Sequence, residues 1–254
     1  MSVHVTTSGT GDDLVLLHGW GMHGGVWDAV KPLLAARFRL HLVDLPGHGA
    51  SSLVTPYALE NLAQEIAAAV PPRAHWCGWS LGGLVALAAA RHLPHRIGKL
   101  ALVAATPCFV QRDDWLCAMA PPTLRAFADN LENAYEDTLK RFLSLQARGD
   151  EAAKTVLRVL REHLFARGRP HPAALRGGLD ILLSTDARPW MLEVTHPVLI
   201  VHGERDHLVP LPAAAWLARA LPDARLNRFT DAAHAPFLSH PHEFAEILET
   251  FLNE

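Results

Sequence analysis

Cys77-Gly78-Trp79-Ser80-Leu81-Gly82-Gly83 joins a short apolar run, Ala74 to Cys77, to a long Ala/Leu-rich run, Leu84 to Leu93. The first reads as a strand and the second as a helix, so Ser80 falls on a tight strand-to-helix turn. Glycines at 78 and 82 flank it in the pattern G-x-S-x-G. A turn this sharp strains the serine backbone and leaves no room for neighbouring side chains, which is why both flanking positions are reduced to hydrogen. The turn lifts the hydroxyl above the sheet edge. It also aims the first helix amides at whatever the hydroxyl attacks, making the Leu81 N–H a candidate oxyanion donor with the helix dipole behind it. A glycine-rich turn with an incidental serine would look the same in isolation, so the rest of the chain must decide.

Working outward, strand-like and helix-like runs alternate. Residues 3–7 suggest an edge strand, and Leu14 to Leu17 a strand buried on both faces. A helix is expected over Val26 to Ala36, a strand over Arg39 to Val43, a helix over Leu59 to Val70 and a strand over Lys99 to Ala104. This rhythm predicts an α/β fold with a doubly wound, mostly parallel sheet. It breaks between about Pro107 and Thr185, where no buried strand is evident and helical patterns occur at Arg125 to Leu131, Thr138 to Ala147 and Asp150 to Ala166. The expected organisation is a core of residues 1–106 and 186–254 with an inserted helical lid at 107–185. The alternation resumes with a strand at Pro197 to Val201, a helix at Ala213 to Ala220, a strand at Arg225 to Phe229 and a closing helix at Phe244 to Leu252.

Composition narrows the class. At 254 residues and half hydrophobic, the chain can bury a sizeable core. A net charge of −3 gives no global pull toward nucleic acid or membrane. Three cysteines without a C-x-x-C pair argue against a disulfide framework or zinc site and for a reducing compartment. With neither a leader-like N-terminus nor a membrane-length apolar run, the expectation is a soluble, cytoplasmic, monomeric protein needing no metal or cofactor.

Ser80, Asp206 and His234 each stand just after a predicted strand, in that chain order. Ligands bind at the carboxyl ends of strands in doubly wound sheets. Serine is a poor nucleophile unless an imidazole takes its proton and a buried carboxylate fixes the imidazole tautomer. The three residues are therefore the candidate catalytic set. His18-Gly19-Trp20-Gly21 follows the first core strand, where a second oxyanion donor belongs, and the Trp20 N–H is that candidate. His18 reads as a hydrogen-bonder within its loop and Cys77 as a small core residue. His92/His95 and His240/His242 have metal-like spacing but no converging carboxylate or thiolate, so they read as solvated surface.

These residues resemble those of the α/β-hydrolases, and more narrowly of the carboxylesterases of biotin synthesis that act on pimeloyl-acyl carrier protein methyl ester. The resemblance spans essentially the whole chain. Its carriers are residues 16–22 (Leu-Leu-His-Gly-Trp-Gly-Met), 43–49 (Val-Asp-Leu-Pro-Gly-His-Gly), 78–83 (Gly-Trp-Ser-Leu-Gly-Gly), 142–146 (Phe-Leu-Ser-Leu-Gln) and 232–237 (Ala-Ala-His-Ala-Pro-Phe). It implies a triad of Ser80, Asp206 and His234. It also implies a substrate site lined by Trp20, Ser80, Leu81, Phe142, Leu143, Ser144, Leu145 and Gln146. The implied partner is an acyl carrier protein touching Arg141, Lys154 and Arg158. Asp137 departs from the family pattern, standing where a basic residue is expected. Charge supports the partner independently: Thr138 to Arg176 holds nine Lys/Arg against three Asp/Glu, +6, leaving −9 for the remainder. Such a patch would steer an acidic partner to the entrance, although a solvated helix face would show the same pattern on a single helix. The triad alone leaves open a general short-chain esterase, a C–C bond hydrolase or a cofactor-free peroxidase. A non-catalytic binding module on the same fold is the rival from outside enzymes. A dehalogenase is disfavoured, since its nucleophile would be an aspartate where Ser80 stands.

Overall fold

Seven strands form one sheet in the order β1-β3-β2-β4-β5-β6-β7. In the computed structural model, which describes residues 2–131 and 134–254, they are β1 (Val5–Ser8), β2 (Asp12–Leu17), β3 (Phe38–Val43), β4 (Ala74–Trp79), β5 (Ile97–Val103), β6 (Val198–Gly203) and β7 (Ala224–Phe229). Only β1 runs antiparallel, pairing Val5 with Val43 at the edge. The expected mostly parallel, doubly wound sheet is what forms. Its central strands are buried on both faces, as continuous apolar runs require: Leu14 to Leu17 and Leu100 to Val103 are fully buried.

The helices are α1 (Lys31–Leu34), α2 (Leu59–Ala69), α3 (Leu81–His92), α4 (Pro121–Asn130), α5 (Tyr135–Gln146), α6 (Ala153–Leu164), α7 (Pro172–Ser184), α8 (Leu211–Ala220), α9 (Pro236–Ser239) and α10 (Pro241–Asn253). Helix α3, Ala/Leu-rich all round, is buried on every side from Leu81 to Ala90 and crosses between β4 and β5. The helix expected at 26–36 is instead a 3-10 turn, Gly24–Ala29, followed by the single turn of α1. Pro32 stands near the start of α1 and explains the break, because its ring removes the backbone donor that a continuous helix would need.

Helices α4 to α7 all lie between β5 and β6. Helix α7 was not legible in the sequence. Gly177 and Gly178 interrupt its apolar pattern, yet both are required by packing. A Cβ on Gly177 would come within 2.6 Å of the Tyr57 ring, and one on Gly178 within 2.7 Å of Trp20 Cδ1. Pro172 at its first turn, after the capping side chain of His171, was the signal available.

Candidate active site

Ser80 has φ 55° and ψ −117°, a left-handed conformation forced on a non-glycine residue. Its strain is held in place by close packing of the neighbouring glycines. A Cβ on Gly78 would lie 2.3 Å from the Gly82 carbonyl oxygen, and one on Gly82 only 2.6 Å from the carbonyl oxygens of Leu17 and His18. The turn thus presses against the end of β2. The Ser80 N–H donates to the Val103 carbonyl at 2.9 Å, so β5 fixes the serine from the other side.

The loop after β2 is brought alongside. A Cβ on Gly19 would stand 3.3 Å from Ser80 Cβ. Neither the Trp20 nor the Leu81 amide donates to any acceptor among the described residues, so both N–H groups are unspent. The Trp20 indole is anchored by Nε1 donating to the Leu175 carbonyl of α7 at 2.8 Å, and its ring packs edge-to-face with Phe142, centroids 4.8 Å apart. His18 behaves as a loop hydrogen-bonder. Its Nε2 accepts from the Leu45 amide at 2.9 Å, which places the proton on Nδ1, and Nδ1 donates to the Gly19 carbonyl at 2.8 Å. Burial and the nearby His48 push its pKa down to about 3, so the ring is neutral.

Asp206 and His234 are brought together in complete burial, with the His234 Nδ1 donating to Asp206 Oδ2 at 2.7 Å. The other carboxylate oxygen, Oδ1, accepts the amides of Leu208 at 2.8 Å and Val209 at 2.9 Å. Burial alone would raise the Asp206 pKa. The His234 and His202 imidazoles and the backbone amide donor outweigh it and hold the carboxyl below its ordinary value. With Nδ1 donating to a carboxylate, Nε2 of His234 carries a bare lone pair. That atom is buried and has no hydrogen-bond partner among the described residues. The Trp79 indole N–H fixes the His234 main chain, donating to its carbonyl at 2.7 Å.

Ser80 and His234 wall one cavity with Phe109, Met119, Leu124, Phe142, Leu182 and Leu208. It has about 10 Å³ for the centre of a water-sized sphere, room for roughly one water. Every other lining residue is apolar, and Leu124, Phe142 and Leu182 come from α4, α5 and α7. Leu182 and the Leu175 carbonyl lie on the helix that the sequence reading missed.

The run 142–146 does not face this cavity as a block, because residues on a helix turn about 100° apart. Phe142 lines it, and Leu143 is buried. Gln146 is buried with its Oε1 lacking a hydrogen-bond partner among the described residues, while its main-chain carbonyl accepts the His234 amide at 3.2 Å. Ser144 and Leu145 line a different groove of about 410 Å³ between α4 and α5, together with Phe127, Thr138 and Arg141. Of the five residues expected along one site, only Phe142 lines the cavity beside Ser80, and Ser144 and Leu145 face the neighbouring groove. Arg141 and Lys154 are exposed and form no ion pair with a described residue, whereas Arg158 pairs with Glu162 at 2.9 Å. Further along, Arg167 reaches the fully buried Asp44 at 3.1 Å.

A strained serine after β4, a carboxylate after β6 and a histidine after β7 define a hydrolase built on an α/β sheet, and the chain belongs to the alpha/beta hydrolase family, whose model matches residues 14–247. Among its relatives, the pimeloyl-[acyl-carrier protein] methyl ester esterase of Nitrosomonas europaea is 48% identical over 248 residues, covering 98% of each chain. The esterase of the same name from Aeromonas hydrophila is 46% identical over 99% of this chain and all of its own. Among solved structures, a bromoperoxidase from Bacillus anthracis superposes with a TM-score of 0.92 at 22% identity, covering 99% of this chain and 95% of its own. An esterase from Exiguobacterium antarcticum superposes at 0.87 with 23% identity, covering 99% and 96%. At such identities these two neighbours speak for the fold alone.

Proposed function

We propose that this chain is a serine carboxylesterase that hydrolyses the methyl ester of pimeloyl-acyl carrier protein, releasing methanol. The esterase class and substrate rest on near-full-length similarity to enzymes of that name. The observation that carries the chemistry is the buried His234: one ring nitrogen is committed to Asp206 and the other is left with a bare lone pair in the chamber that holds Ser80.

In this reading His234 Nε2 takes the Ser80 proton as Oγ attacks the ester carbonyl. The amides of Trp20 and Leu81 stabilise the oxyanion; losing one such donor typically costs about 3 kcal/mol of transition-state stabilisation. The imidazolium then hands its proton to the departing methoxide. A water activated by the same nitrogen attacks the acyl-enzyme, and His234 returns the proton to Ser80. Asp206 holds the tautomer throughout and offsets the transient imidazolium charge. The apolar walls suit a methylene chain.

Helices α4 to α7 act as a lid over this chamber, and the carrier docks outside on its basic face. Exposed Arg141 and Lys154, together with the +6 balance of residues 138–176, support an acidic partner there. Ser80→Ala should abolish turnover of both a short aryl ester and the carrier-linked methyl ester; retained turnover of either removes Ser80 from its role. Restoring growth on biotin-free medium to a strain lacking the pathway esterase tests the substrate.

A further inference from the structure

We propose that Asp150, in the turn between α5 and α6, is a positioning residue for His234. The inference rests on the reading of His234 as the general base. Asp150 is buried, and each carboxylate oxygen takes one peptide N–H. Oδ1 accepts the Ala152 amide at 2.8 Å within its own turn. Oδ2 accepts the Ala233 amide at 2.9 Å, across 83 residues of sequence, at the position immediately before the histidine. One side chain therefore ties the start of α6 to the loop that presents the base.

Backbone contacts on either side make this a clamp. The His234 amide donates to the Gln146 carbonyl at 3.2 Å, and the Glu151 amide donates to the Asp231 carbonyl at 3.0 Å. Between them lies Gly149, at φ +91°, where a Cβ would approach the Arg205 carbonyl oxygen to 3.0 Å. Residues 146–151 are thus seated against both the Asp206 loop and the His234 loop. From the sheet side, His234 is held by the Trp79 indole and by Asp206 itself. The clamp supplies the opposite side, and it belongs to the helices that cover the chamber.

A buried carboxylate is costly to hold without partners, and hydrogen bonds from amides to an ionised acceptor are shorter and stronger than neutral ones. An aspartate here can serve both amides at once. An asparagine can accept with only one of its two terminal atoms, so one N–H would face a donor. Where the amide turns its NH2 toward Ala233, that peptide loses its acceptor, and the displacement reaches the ring that must meet the Ser80 hydroxyl. Misplacement of a reacting group by about 1 Å can cost on the order of 100-fold.

The test is Asp150→Asn in the full chain, assayed on a short aryl ester. The expected result is kcat lower by about 10- to 100-fold with KM changed less than about twofold, because the group aligned acts in the transition state. The low-field proton resonance of the His234 Nδ1–H to Asp206 bond should shift or broaden in step. Wild-type kcat with an unmoved resonance would overturn the proposal, as would a kcat loss fully accounted for by unfolded protein. Should the variant fail to fold, hydrogen exchange on the wild-type protein decides. The Ala233 amide should be as protected as those of Leu208 and Val209; exchange at the rate of an exposed loop overturns the clamp. His234→Ala, measured alongside, separates the two readings. If it stays active, the assignment of the base fails. If it is dead while Asp150→Asn is normal, only the clamp fails.

Discussion

Replacing Asp206 with asparagine keeps the shape of the side chain and changes the direction in which hydrogen bonds run. The two loop amides, Leu208 and Val209, both donate to Oδ1, while the His234 Nδ1 donates to Oδ2. An asparagine must place its carbonyl oxygen where the two amides converge, which leaves its NH2 group facing His234. Nδ1 then becomes an acceptor, the imidazole proton moves to Nε2, and the nitrogen that should take the Ser80 proton is already occupied. The flipped amide restores the working tautomer but confronts two buried N–H groups with a donor. At about 1–3 kcal/mol for each orphaned group, the flip costs roughly 2–6 kcal/mol. With each 1.4 kcal/mol worth about tenfold, the active arrangement falls to between about 1 part in 30 and 1 in 20,000. The Asp206→Asn variant should therefore lose about 30- to 20,000-fold in kcat on an aryl ester, with little change in KM and a cooperative melt retained. A variant within about threefold of wild type refutes the tautomer argument.

Other outcomes follow from the same contacts. Gly178→Leu should lower kcat and destabilise the fold by about 1–3 kcal/mol, since even its Cβ would lie 2.7 Å from the Trp20 ring, whose indole ties the loop after β2 to α7; a calorimetric melt and steady-state kinetics check both. Charge reversal of Arg141, Lys154 and Arg158 together should raise KM for the carrier-linked substrate and spare a short aryl ester, and equal damage to both substrates removes the docking proposal. Acid should loosen the protein through buried histidines. Burial pushes His18 down to about 3 and His48 down to about 4, whereas both titrate near 6.5 when unfolded. Below pH 6.5 the unfolded chain takes up protons that the folded chain refuses, so stability is full above that pH and lost as pH falls, by about 2 kcal/mol per histidine at pH 5. Denaturant titrations between pH 7.5 and 5 should show this slope, and His48→Gln should flatten it. Trp79→Phe orphans the buried His234 carbonyl and removes fully buried ring volume, so it should cost about 2–4 kcal/mol in stability, read by the same titrations.

The sheet was legible because buried parallel strands announce themselves. Leu14 to Leu17 and Val198 to Val201 are continuous apolar runs that a solvent-facing strand could not carry. The elbow was legible for the opposite reason, since three glycines around one serine have no packing use unless backbones meet there. Helix α7 was hidden because a glycine pair reads as a breaker when the surfaces that demand it, Tyr57 and Trp20, lie far away in sequence. The outward turn of Ser144 and Leu145 was lost by reading 142–146 as a string rather than as a helix with faces. Asp150 gave no local sign at all. Its role comes from an amide 83 residues onward, a distance over which no periodicity speaks.

The space beside Ser80 that admits a single water has a kinetic meaning. That space is too small for an acyl chain, so on the proposed reading the helices that supply Leu124, Phe142 and Leu182 must give way before an ester reaches Ser80. Selection among substrates would then fall on those helices as well as on the bond being cut. Two enzymes with identical elbows can serve unrelated substrates by differing only in the helices that must move.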